Sequence, residues 1–189
     1  LFIILVGLIY LIFEKENNGE DVVFTTKKVN ANFLLPKVAS NQIVHHTIYS
    51  LSYNEEHEQA DWVAYKLNRN SINDSVKRKD NFKADPFVIT ESASLLDYKN
   101  SGYDRGHLAP AKTMSFSKQT MSESFFMSNM SPQKPSFNRG VWKRLEEVVR
   151  SWIQKSDSIY VVTGPVLNDP LGFIGKNKVS IPKSYYKCI

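Results

Sequence analysis

The sequence predicts an α+β domain, with a central, mostly antiparallel sheet flanked by helices. Three observations predict it. Strand-like runs recur at residues 43–53, 59–67, 158–162 and 179–186, either alternating or continuously apolar and bounded by turn residues. One strongly patterned helix follows Asn138. The chain has 189 residues, 42% hydrophobic and 23% charged, which suits one globular domain with a real core.

The elements follow in order. Residues 1–13, LFIILVGLIYLIF, are apolar and uncharged. The first residue is not Met, so the natural start is expected upstream. The run is short of the about 20 residues that a membrane span needs. It reads as the end of a span or the apolar region of a signal peptide. Glu14-Lys15-Glu16-Asn17-Asn18 follows without a small-x-small cleavage pattern, which favours an uncleaved anchor. Either reading places the rest outside the cytoplasm, as a membrane-anchored or a secreted or periplasmic domain. Residues 14–42 are polar and weakly patterned and read as a linker or arm. The main domain spans 43–189 and is expected to be incomplete at its C-terminal end.

Within it, 43–53 reads as a strand, 54–57 as a turn and 59–67 as a largely buried strand. His45, His46 and His57 are expected at the surface, and a His45-His46 metal pair is disfavoured, since adjacent strand residues face opposite ways. Residues 68–86 form a basic, polar loop containing Arg78. A short strand is expected at 87–89, and Gly102 permits the turn into the next segment. Leu108-Ala109-Pro110 reads as a strand end stopped by proline. A short helix is expected at 117–125 and a short strand at 127–129. Pro132 and Pro135 keep the chain irregular until Asn138 opens the main helix. The strand 158–162 is expected to turn at Gly164-Pro165, and 179–186 to form another.

Apolar residues of the main helix fall at Val141, Trp142, Leu145, Val148, Val149, Trp152 and Ile153, the spacing of one buried face. On that wheel Asn138 points along the apolar side, Glu146 lies at its border and Glu147 points to solvent. Asn138 and Glu146 thus look into one cleft about two turns apart. The plainer readings are an N-cap for Asn138 and a solvated carboxylate for Glu146.

The stretch 103–150 contains the reactive residues: Asp104-Arg105-Gly106-His107 at one end, Asn138 and Glu146 at the other. A histidine near a strand end has the proton affinity of a general base. Its plainer role is a satisfied, partly buried side chain. Arg105 supplies a planar fork that fits phosphate oxygens. Gly106 has no Cβ, so backbone or ligand can come close. The net charge is +5. Between Asp104 and Arg150 there are eight Lys/Arg and four Asp/Glu, so an excess of +4 sits in this stretch. This favours a polyanionic partner, although surface lysines also serve solubility. The single cysteine, Cys188, excludes an intrachain disulfide and a thiolate zinc cluster.

Asp104-Arg105-Gly106-His107-Leu108-Ala109-Pro110, Ser128-Asn129-Met130-Ser131-Pro132-Gln133, Asn138-Arg139-Gly140-Val141-Trp142 and Leu145-Glu146 together resemble the DNA/RNA non-specific endonuclease family. These are the sugar-non-specific nucleases with a ββα-metal (His-Me finger) core and a DRGH motif. Weaker resemblance runs through Trp62-Val63-Ala64-Tyr65, Arg78-Lys79-Asp80-Asn81-Phe82 and Val162-Thr163-Gly164-Pro165-Val166, and covers roughly Val44 onward. The resemblance implies His107 as general base, Asn138 as the direct protein ligand of a hydrated Mg²⁺, and Glu146 as reaching that ion through water. It implies phosphate contacts from Arg105 and an upstream arginine, most plausibly Arg78, although Lys77, Lys79 and Lys83 crowd that segment. The implied partners are DNA and RNA, and the cofactor is Mg²⁺, with Mn²⁺ or another divalent ion as the alternative.

Such a set suits phosphodiester hydrolysis, which needs an activated water and charge stabilisation at the phosphoryl oxygens. Mg²⁺ keeps several waters, so one amide oxygen and outer carboxylate contacts suffice. His107 must be neutral to take a proton, so activity is expected to fall below about pH 6. Two alternatives remain at this point: a membrane-tethered nucleic-acid binding module that does not cut, and a phosphodiesterase for small nucleotides.

Overall fold

The computed structural model describes residues 35–36 and 41–189. The apolar run at 1–13 and nearly all of 14–42 lie outside the described residues. Among the described residues, no helix is long and apolar enough to cross a membrane.

The main sheet has five strands. They are β1 (Gln42–His45), β2 (Tyr49–Asn54), β3 (Gln59–Asn68), β6 (Ser158–Val166) and β9 (Ser184–Cys188), in the order β1-β2-β3-β6-β9 with every pairing antiparallel. β3 lies centrally and is buried on both faces, with Trp62, Val63, Ala64, Tyr65 and Leu67 all inside. That is why its sequence reads as apolar nearly throughout. The core around it takes Val44, Tyr49, Leu51 and Tyr53 from one side, Val161 from the other, and Val149 and Ile153 from a covering helix.

Between β3 and β6 the chain leaves the sheet. It makes the helical turn α1 (Leu95–Tyr98), the strand β4 (Asp104–His107) and the helix α2 (Lys118–Glu123), then the strand β5 (Met130–Gln133). β4 and β5 form their own antiparallel pair. A long helical segment follows: α3 (Pro135–Phe137), a π turn at Asn138–Trp142, and α4 (Lys143–Ile153). A minor hairpin, β7 (Phe173–Ile174) and β8 (Val179–Ser180), precedes β9.

Several expectations are corrected. The run 43–53 is two strands, because the chain turns over at residues 46–48. His46 is not a surface residue. Its side chain has no exposed area, bonds Asp85 at 2.9 Å and packs among Tyr49, Phe87 and Phe126. Residues 87–89 form turns rather than a strand, with Phe87 and Ile89 exposed. The second short strand falls at Met130–Gln133, three residues after the expected place, because Met127–Asn129 forms a 3-10 turn. Pro132 lies inside that strand, opposite Arg105, and Pro135 occupies the first turn of the helical segment, where its missing N–H costs nothing.

β6 runs through Gly164-Pro165 without turning. A Cβ on Gly164 would stand 2.2 Å from the Asp61 carbonyl oxygen, so glycine lets the strands approach. The run 179–186 is broken between β8 and β9 at residues 181–183. The helix 117–125 is present as α2, capped by Ser117, whose hydroxyl accepts from the Thr120 N–H. Gly102 turns the chain into β4 with φ of +80°.

Candidate active site

Three hydrogen-bonded ties fasten β4 to the helical segment. The Asp104 carboxylate accepts from Asn138 Nδ2 at 2.9 Å and from Arg139 Nε and Nη2 at 2.9 and 2.7 Å. At the other end of the strand, Trp142 Nε1 donates to the His107 carbonyl at 3.3 Å. Burial works to raise the Asp104 carboxyl, but the bonds from Arg139 and Asn138 outweigh it and hold the group below its usual value. So β4 places His107 and the helix places Asn138 on adjoining surfaces.

Asn138 is not an N-cap. Its backbone is helical, at φ −57° and ψ −50°, and Pro135 begins the segment. It opens the π turn, whose wider spacing lets one residue depart from the regular helical face. Gly140 carries the departure, with φ −103° and ψ −108°. With Nδ2 committed to Asp104, the Asn138 carbonyl oxygen has no hydrogen-bond partner among the described residues.

His107 ends β4, is 9% exposed, and its Nε2 is buried without a partner among the described residues. Two phenyl rings enclose it. Phe125 stands edge-on at 5.0 Å and Phe82 lies tilted at 5.7 Å. Burial, then the Arg78 charge, pull its proton affinity down to about 3; Asp80 opposes them, and Arg105 adds a lesser pull downward. The ring is therefore neutral at physiological pH. Arg105 makes no hydrogen bond or ion pair among the described residues, and its guanidinium lies 4.1 Å from the Phe82 ring centre. Arg78 is exposed, bonds Asp80 at 2.7 Å and sits over Phe125. Lys83 is already engaged, with Nζ on Ser122 at 2.9 Å.

Along the π turn and α4, Trp142, Val149 and Ile153 are buried, whereas Val141, Val148 and Trp152 are exposed. The inward stripe is thus narrower than the sequence pattern, and it brings Glu146 to its edge, half-buried. Glu147 faces solvent beside Lys143, as expected. Burial pushes the Glu146 carboxyl up, and Lys187 and Arg78 oppose the rise. Lys187, reaching in from β9, is buried, has no hydrogen-bond partner for Nζ among the described residues, and lies 4.6 Å over the Trp142 ring. Burial lowers its own proton affinity, and the Glu146 charge opposes that.

A family model described as DNA/RNA non-specific endonuclease matches residues 29–189. The chain belongs to the DNA/RNA non-specific endonuclease family. A nuclease from Nostoc sp. is 36% identical over 168 residues, covering 87% of this chain and 56% of the relative. Mitochondrial endonuclease G from Homo sapiens is 33% identical over 171 residues, covering 84% of this chain and 57% of the relative. The chain thus spans about half the length of the curated relatives it matches. Among solved structures, the crystal structure of the EndoG/EndoGI complex superposes with a TM-score of 0.73 at 34% identity, covering 79% of this chain and 67% of that one. The α+β fold is that of this non-specific endonuclease family.

Within this chain, the residues singled out from the sequence occupy two adjoining elements and one loop. His107 and Arg105 are on β4, Asn138 and Glu146 on the helical segment, and Arg78 in the loop 68–86. Gly106 serves a neighbour: a Cβ there would stand 2.2 Å from Cδ of Gln133, whose fully buried amide has no partner for either polar atom among the described residues. Sequence reading missed three contributors. Asp104 was in view as part of the motif, and its place opposite Gln133 in the strand pair leads to Asn138 only through the fold. Phe82 was in view only as the end of the 78–82 stretch, with no role assigned, and Lys187 carries no local signal.

Proposed function

We propose that this chain forms the catalytic part of a metal-dependent endonuclease that hydrolyses phosphodiester bonds in DNA and RNA with little sequence preference. The observation that carries the reading is the fastening of β4 to the helix through Asp104 and Trp142. That fastening leaves a neutral imidazole, a free amide oxygen and a half-buried carboxylate on adjoining elements.

The donor set fits a hard, largely hydrated ion. Asn138 offers a carbonyl oxygen and Glu146 a carboxylate. Among the described residues, no group of three or more His, Cys, Asp or Glu is gathered as an all-protein cage. Asn138 is assigned as the direct ligand of Mg²⁺ and Glu146 as reaching it through water; Mn²⁺ or another divalent ion would fit the same oxygens. When bound, the ion supplies charge neutralisation at the phosphoryl and leaving oxygens.

The chain's own groups do the rest. His107 takes the proton of the attacking water. Arg105 and Arg78 hold the phosphate. Those cations depress the basicity of His107, so pairing them with phosphate raises it. The base is thereby strengthened when substrate arrives. Contacts chiefly to phosphates give little base preference.

The pH dependence differs from the expectation drawn from an ordinary histidine. His107 is already neutral at pH 6, because burial and Arg78 lower its proton affinity to about 3. Its stabilising effect is present above the ordinary histidine value of about 6.5 and is lost as pH falls through about 3. Glu146 has the opposite sign. Its raised carboxyl favours the fold below the ordinary value, and that contribution is lost as pH rises through the raised one. Its activity role requires the ionised form. At limiting metal, cleavage is expected to fall with acidity at a midpoint above the ordinary carboxylate value of about 4.3. More metal is expected to move the midpoint down, since bound charge favours the carboxylate. Initial rates across pH at two Mg²⁺ concentrations check this; a midpoint indifferent to metal contradicts it.

Plasmid nicking by the full-length protein with and without chelator tests the reading. Chelator-sensitive nicking of DNA, with matching cleavage of RNA, is the expected result. Binding without cutting, or hydrolysis confined to mononucleotide diesters, contradicts it. We assign the apolar run 1–13 to export or anchoring, with the domain outside the cytoplasm. Recovery of the full-length protein solely in the cytosolic fraction contradicts that.

A further inference from the structure

Arg105 shares with Lys187, among the cations around β4, the lack of a hydrogen-bond or ion-pair partner among the described residues. Arg139 is held by Asp104, Arg150 by Asp74 and the Lys112 carbonyl, Lys83 by Ser122, and Arg78 by Asp80. Arg105 has no such partner among the described residues; the contact that locates it is the Phe82 ring, 4.1 Å from its guanidinium carbon. The same ring packs against His107 at 5.7 Å and stands edge-to-face with Phe125 at 4.9 Å. His107 and Phe125 meet at 5.0 Å and 90°, closing a triangle of three rings.

The position of Phe82 is built rather than incidental. The next residue is bonded into the fold on both backbone groups: Lys83 N donates to the Phe125 carbonyl at 3.2 Å, and Met127 N donates to the Lys83 carbonyl at 2.9 Å. Phe82 itself is half-buried and packs against two separate core clusters, one containing Met127 and Met130 and the other Met121 and Phe125. A cation over an aromatic face is attracted by the ring's charge distribution, and a planar guanidinium stacks well there.

We propose that Phe82 is a positioning residue whose ring holds the Arg105 guanidinium ready for phosphate and braces the His107 imidazole, so that one side chain aligns the anion clamp with the base. This rests on the functional reading given above. Leucine at 82 keeps apolar volume and loses the ring face; tyrosine keeps the ring. Because the residue is only half-buried, neither change is expected to unfold the protein.

The test is a double-mutant cycle on the full-length protein, read as DNA affinity in the presence of EDTA and, with Mg²⁺, as KM and kcat. Phe82→Leu is expected to weaken DNA binding and raise KM by about two- to fivefold, the size of a partly exposed cation–π contact. Phe82→Tyr is expected to restore both. In an Arg105→Ala background, Phe82→Leu is expected to change affinity no further. Additive losses, wild-type affinity in Phe82→Leu, or a tyrosine variant as weak as the leucine one would overturn the assignment. Coupling measured in EDTA alongside a wild-type protein that does not cut would reject the nuclease reading and leave the Phe82–Arg105 pair standing. Normal cutting without coupling rejects Phe82 alone. A wild-type protein that does not bind DNA overturns both.

Discussion

His107→Ala is expected to lower the rate of plasmid cleavage by about 10²–10⁴-fold, the usual contribution of a positioned general base. Binding of DNA in chelator should change little, because the imidazole holds no phosphate in this scheme. The substitution also removes ring packing against Phe82 and Phe125, so some loss of Tm accompanies it. Rates are therefore compared well below the transition, and added imidazole serves as a control that restores the base without restoring packing. Cleavage within a few-fold of wild type would remove His107 from the role. The buried, unpartnered Nε2 and the low proton affinity give this prediction its force.

Asn138→Ala is expected to raise the Mg²⁺ concentration for half-maximal activity by at least about 10–100-fold, the loss seen when even supporting residues of a metal site are removed. The argument is specific to one oxygen. Asp104 takes the Asn138 NH₂ group, which turns the carbonyl oxygen away from Asp104 and leaves it without a protein partner among the described residues. Alanine deletes that oxygen and leaves the Arg139–Asp104 pair intact. Titrating rate against metal for both proteins decides it. Overlapping titrations would mean that the ion, or the need for one, lies elsewhere.

The main helix was legible because its apolar spacing is strong, and Glu146 at the border of that stripe follows from the wheel alone. The breadth of the stripe was not legible. Val141, Val148 and Trp152 match the pattern yet remain exposed, because the helix meets the core only along Trp142, Leu145, Val149 and Ile153. The start of the helix was misplaced because Asn is a good cap and the π turn at Asn138 has no sequence signature. β5 was displaced by three residues because Met127-Ser128-Asn129 looks extended but closes into a 3-10 turn. His46 is expected at the surface, whereas β1 has already ended and the ring turns inward to Asp85. The motif holds the side chains proposed to react. Their supports, Phe82 and Lys187, come from a loop and the last strand, and only tertiary folding brings them in.

The central claim is that the Asn138 amide oxygen and the His107 imidazole serve one hydrated divalent ion. Anomalous diffraction from crystals of the full-length protein grown with Mn²⁺ tests it most directly. The account predicts a single peak bonded to the Asn138 side-chain oxygen, with no other protein atom in direct contact, Glu146 one water away, and the His107 ring facing the same cavity. A peak held by other residues, or one on the far side of the helix from His107, would contradict it.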